Sequence, residues 1–143
     1  MITDIIFDFF GTLVGYSEKW DSAHKNTSYE YFCNLGFSME KEEFMQKYGE
    51  CFMDLTKKAT ENKTEFHMYT LGKYFFNKFF QCQIDDKINK TFIDKSVNDW
   101  NMNVLYFNHI KDFIEELSKK YRLSILSNTN YPDLIHRNLK NME

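Results

Sequence analysis

The sequence predicts an α/β fold, in which a small parallel sheet is interrupted by a bundle of four helices. Three observations predict it. Two short apolar runs, Thr3 to Phe7 and Leu123 to Leu126, each give way to a polar turn, Asp8 with Gly11 and Thr12 in one case and Ser127 with Asn128 in the other. Buried parallel strands have this form. Between the runs, from about Tyr16 to Asn103, apolar residues recur three and four apart, which is the helical period. A helical pattern also leads into the second run and another follows it, so the frame is strand–insert–helix–strand–helix.

Taken in order, the first strand closes on Asp8. The insert then opens with a helix carrying Trp20, His24, Tyr31, Phe32 and Leu35, stopped by Gly36 in the left-handed region. Ser38 is placed to cap a second helix, with Glu40, Glu42 and Glu43 near its positive end and a stripe of Phe44, Tyr48, Phe52 and Leu55. A third helix carries Met68, Leu71, Phe75 and Phe79, with Phe75 and Phe79 read as core. A fourth begins near Asp85 or Asp86 and carries Ile88, Phe92, Val97 and Trp100. Asn108 is placed to cap the next helix, whose stripe is Ile110, Phe113, Ile114, Leu117 and Tyr121. After Ser127, polar residues and Pro132 announce a last helix with Leu134, Ile135 and Leu139. The reading is a truncated Rossmann-like core made of residues 1–15 and 104–143, with a four-helix insert over 16–103.

Composition narrows the function. The chain has 143 residues, a net charge of −3 and no long basic run, so nucleic acid is not the expected partner. No apolar stretch approaches the roughly 18–20 residues that span a bilayer, and the acidic N-terminus is unlike a signal peptide; a cytoplasmic protein without membrane contact is expected. Cys33, Cys51 and Cys82 are odd in number and widely spaced. They read as reduced core residues, not as a zinc site or a disulfide framework. His24, His67, His109 and His136 are dispersed without metal-binding spacing, and Asp85–Asp86 reads as a helix cap.

Chemistry concentrates at the two strand ends. An open α/β sheet binds ligands beyond the carboxyl ends of its strands. There Asp8 supplies a carboxylate able to attack and form an ester or acyl phosphate. The turn through Gly11 and Thr12 offers backbone N–H groups to an anion. Ser127 and Asn128 reach the same place from the neighbouring strand. By spacing alone, the stronger reading is Asp8 as a turn or cap residue and Ser127 as a helix N-cap.

The strings themselves say more. D-I-I-F-D-F-F-G-T-L-V (Asp4 to Val14) resembles the first motif of the haloacid dehalogenase-like hydrolase superfamily, an apolar strand followed by D-x-D-G-T-L. L-S-I-L-S-N-T-N (Leu123 to Asn130) resembles its second, an apolar strand ending in Ser or Thr. The helical insert occupies the position of that family's cap domain. The resemblance implies that Asp8 is the nucleophile and that Ser127 hydrogen-bonds the transferring group. It implies an anion pocket of Phe9, Phe10, Gly11 and Thr12, joined by Asn128, under a cap that selects a small-molecule substrate. In the phosphatases of the superfamily Mg²⁺ is held by the nucleophilic carboxylate, by the carbonyl two residues later and by a late acidic residue. Here Asp8 and the Phe10 carbonyl would be the first two; a dehalogenase-type chemistry would use no metal.

Two departures refine this. The phosphatases carry a second aspartate, a general acid and base, where this chain has Phe10. The 2-haloacid dehalogenases have a non-acidic residue there and a Ser–Asn pair like Ser127–Asn128, but they also use a cap arginine, and the only arginines here are Arg122 and Arg137. The family's third motif, a lysine, and its fourth, an acidic residue or pair, have no counterpart before Glu143. The expectation is therefore a phosphoester or carbon–halogen hydrolase impaired by truncation; the alternative is a non-catalytic binding protein or a fragment of a longer one. The open edge of the first strand further implies a homodimer or a complementing chain.

Overall fold

A computed structural model describes residues 2–17 and 26–142 of the chain. The chain divides into two compact units, Met1–Ser22 with Trp100–Glu143, and Ala23–Asp99. The fold is α/β, with six helices among the described residues.

The first unit holds β1 (Asp4–Phe7), β2 (Val14–Tyr16), β3 (Val104–Tyr106), α5 (Asn108–Ser118), β4 (Arg122–Ile125) and α6 (Asp133–Asn141). β1 and β4 pair in parallel, Asp4 opposite Arg122 and Phe7 opposite Ile125. Side chains alternate across a strand, so Ile5, Phe7, Leu123 and Ile125 turn toward one face. That face meets a core of Phe9, Leu13, Val14, Val104 and Ile110, with Ile114, Ile135, Leu139 and Met142 packed against it. The other face carries Asp4, Ile6, Arg122 and Ser124, with Ile6 65% exposed. The apolar runs thus form half-buried strands, not strands buried on both faces. Asp4 and Arg122 form an ion pair at 2.7 Å across this outer face.

β2 and β3 pair antiparallel, Val14 opposite Tyr106 and Tyr16 opposite Val104. This pair corrects the expectation that everything from Tyr16 to Asn103 is helical, since Tyr16 lies in a strand. Three-residue strands are too short to print a period on the sequence. Asn138, fully buried on α6, exchanges two side-chain hydrogen bonds with Asn101 at 3.0 and 2.9 Å and accepts one from the Tyr106 hydroxyl. A buried amide needs such partners, and here they tie the end of α4 and the last residue of β3 to α6. Asn108 opens α5 but does not cap it; Phe107 holds the cap position without a side-chain hydrogen bond.

The second unit contains α1 (Thr27–Asn34), α2 (Lys41–Asn62), α3 (Met68–Phe80) and most of α4 (Asp86–Asn101). Trp20 and His24, expected on the first helix, lie outside the described residues. Gly36 takes φ +89° just past α1, as its role of helix stop requires. Ser38 does not cap α2, whose N-cap is Glu40. The core is aromatic: Phe32, Phe44, Phe75, Phe76 and Phe92 are buried with ring centroids 5–6 Å apart, the range of favourable edge and offset contacts. Phe76 takes the fully buried place expected of Phe79, which is only half-buried. Of the cysteines, Cys51 is buried, Cys82 intermediate and Cys33 exposed, so Cys33 is not a core residue. Asp99 accepts hydrogen bonds from the backbone N–H and hydroxyl of both Thr27 and Ser28, at 2.7–3.0 Å. One carboxylate therefore satisfies the orphan donors at the start of α1 and joins the two ends of the unit.

Candidate active site

Asp8 is the first residue beyond β1 and is exposed. Its Oδ1 accepts the Phe9 N–H at 2.7 Å. Phe9 is fully buried, and its carbonyl accepts the N–H groups of Thr12, Leu13 and Val14 at 3.3, 2.9 and 3.3 Å. Gly11 makes the reversal at φ +81°, a conformation costly for residues with a Cβ, and its N–H reaches the Val14 carbonyl at 2.8 Å. A buried ring and a tight turn thus fix the backbone on which Asp8 stands.

This turn changes the expected anion pocket. The N–H groups of Phe9, Gly11 and Thr12 are already engaged, which leaves the Phe10 N–H as the donor of the turn that makes no hydrogen bond among the described residues. An anion meets one backbone donor here unless the turn opens.

The second strand arrives alongside. The parallel ladder continues one step past β4, where the Leu126 N–H donates to the Phe7 carbonyl at 2.9 Å. Phe7 is paired with Ile125, so Asp8 is the first residue past that pair on its own strand and Ser127 the second past it on the neighbouring strand. Ser127 is half-buried and Asn128 exposed, and the Thr129 hydroxyl accepts the Tyr131 N–H at 3.2 Å where the chain turns into α6. Thr12 lies exposed on the turn.

An aromatic group beside the turn escaped the sequence reading. The ring of Phe10 lies 6.3 Å from that of Tyr16 and 5.6 Å from that of Trp100, and Tyr16 and Trp100 are 5.6 Å apart. Burial, and then the charge of Asp8, push the Tyr16 phenol above its ordinary pKa. Trp100 lies near the end of α4, as its place on the helical stripe predicts, but its pairing with Tyr16 depends on the short strands β2 and β3, which the sequence does not announce.

Among the described residues no group of three or more His, Cys, Asp or Glu is placed to hold a metal ion. Asp8 and the Phe10 carbonyl offer two oxygens, whereas a hard cation such as Mg²⁺ takes six ligands, often with more than one carboxylate. The residues present do not by themselves make up the Mg²⁺ site that the resemblance implied.

A family model described as haloacid dehalogenase-like hydrolase matches residues 5–143. No curated protein matches the chain, and no solved structure matches it.

Proposed function

Because the chain belongs to the haloacid dehalogenase-like hydrolase family, we propose that it cleaves a small molecule by covalent catalysis at Asp8, expelling a group that leaves as a stable anion. One observation carries this reading: an exposed carboxylate at the end of a parallel strand, with one oxygen held by its own turn and Ser127 following the neighbouring strand.

The choice of leaving group follows from Phe10. A phenyl ring transfers no proton, and general acid–base help is typically worth about 10²–10⁴-fold. An alkoxide would leave slowly without it; a halide or a phenolate departs unprotonated. In the carbon–halogen case an Asp8 oxygen attacks carbon, the halide leaves with the bonding pair, and water then cleaves the ester at the aspartyl carbonyl. In the phosphoester case the same oxygen attacks phosphorus, the aryl oxide leaves, and water attacks the phosphoryl group. Ser127 would donate its hydroxyl hydrogen to the transferring group, with Asn128 and the Phe10 N–H beside it. Members of the family commonly use Mg²⁺; no step here is routed through a metal. The helical unit Ala23–Asp99 is read as the cap that selects the substrate.

A single turnover in water labelled with heavy oxygen tests the chemistry. Label in the Asp8 carboxylate marks displacement at carbon, and acid-stable trapping of a phosphoryl group on Asp8 marks the phosphoester route. Turnover with neither, and undiminished in Asp8→Asn, would sink the covalent reading.

Self-association belongs to the same proposal. β1 directs the Thr3 and Phe7 carbonyls toward β4, so the backbone groups of Asp4 and Ile6 point to the opposite edge, where no strand pairs with it among the described residues. Such an edge recruits a further strand, and a second copy is the partner at hand.

A further inference from the structure

We infer that Phe10, Tyr16 and Trp100 form a fixed aromatic platform beside Asp8 that receives a flat aryl group of the substrate next to the bond being broken. This inference rests on the covalent reading for Asp8 and names the substrate class that reading leaves open.

The three rings are built in. Phe10 stands edge-on to the fully buried Phe9 at 5.0 Å, which anchors it to the core. Tyr16 is held by β2, and the N–H of the next residue, Ser17, donates to the Asn103 carbonyl at 2.8 Å. Asn103 in turn donates both its backbone N–H and its side-chain amide to the Trp100 carbonyl, each at 3.1 Å. The backbones carrying Tyr16 and Trp100 are thereby locked to each other through one buried amide.

Yet two of the rings stay open to solvent. Tyr16 is 45% and Trp100 37% exposed, although large aromatic side chains ordinarily gain by burial. Phe10 follows Asp8 by two residues, and the carboxylate charge is felt at the Tyr16 phenol. The Trp100 ring stands edge-on to both Phe10 and Tyr16 at 5.6 Å, so the three rings close on one another and do not form an open cage. A ligand lies on them, and a planar apolar group fits that contact. An aryl group also supplies what the missing general acid demands, since an aryl oxide leaves unprotonated.

Binding separates this subsite from leaving-group chemistry. In full-length Asp8→Asn, which should neither turn over nor repel a phosphate by charge, phenyl phosphate and methyl phosphate are titrated by calorimetry. Phenyl phosphate should bind about tenfold more tightly, on the scale of one good aromatic contact. The preference should vanish with Trp100→Ala and with Tyr16→Ser, the second being a surface strand position if the first fails to fold, and should survive Tyr16→Phe. Equal affinities in the parent, or a preference that outlasts both ring deletions, would overturn the platform. An aryl preference in a protein whose wild type shows no Asp8-dependent turnover would instead refute the hydrolytic reading and leave the subsite standing.

Discussion

At the residue scale, two side chains have sharply different tolerance. Asp8 is exposed and bears on the core only through its bond to the Phe9 N–H, so Asp8→Asn should leave the melting curve nearly unchanged. Activity should fall by about 10⁴-fold or more, because an amide is a poor nucleophile; steady-state kinetics beside a denaturation curve would check both halves. Gly72 is the opposite case. A Cβ there would stand 2.1 Å from Asn89 Oδ1 and 3.1 Å from two carbons of Ile93. Asn89 cannot swing aside without breaking the hydrogen bond its side-chain amide donates to the Tyr69 carbonyl at 2.8 Å. Alanine gains about 1 kcal/mol of helix propensity over glycine, but overpacking typically costs about 1–3 kcal/mol. Gly72→Ala should therefore lower stability in urea unfolding despite its better propensity. Nothing in the string around Gly72 announces this, since the obstructing atom comes from a helix 17 residues later.

At the scale of elements, the helices were legible and the short strands were not. A helix of 13 or 22 residues repeats its stripe several times, whereas β2 and β3 have three residues each and are defined only by each other. Caps were read less well: Lys63 and Gln81 end α2 and α3 in the left-handed conformation, a place where glycine is the usual signal. Packing between helices also sets a titration. Burial pushes the Tyr48 phenol well above its ordinary value, opposed by a hydrogen bond from Ser96 at 2.9 Å. The unfolded phenol ionises near pH ~10, while the folded one holds its proton, so stability is complete below that pH and falls as pH rises through it. Tyr48→Phe should flatten the alkaline limb of stability against pH, as followed by circular dichroism; an unchanged limb would place the sensitivity elsewhere.

At the scale of the whole chain, the two units differ in what they cover. The helical unit has an aromatic core of its own and ends joined through Asp99. The α/β unit leaves Ile2 74%, Ile6 65% and Leu126 75% exposed on and beside a two-stranded sheet. Apolar surface along an open strand edge favours association, and Asp4 and Arg122 neutralise each other there. Sedimentation velocity should show association that grows with concentration and is weakened by Ile6→Lys. A sedimentation coefficient independent of concentration would contradict pairing between copies.

What the sequence determined by itself is whatever repeats locally or is carried by a contiguous string: the helical periods, the two apolar runs, and the motif around Asp8 that places the chain in its family. No helix among the described residues is long and apolar enough to cross a membrane, which the hydropathy of the string also anticipated. Tertiary structure alone decided which N–H groups of the Asp8 turn remain available, that Phe76 is fully buried where Phe79 is not, and that Tyr16 and Trp100 meet beside Phe10. These outcomes depend on contacts between residues distant along the chain, and a contact of that kind leaves no period or motif in the residues that make it.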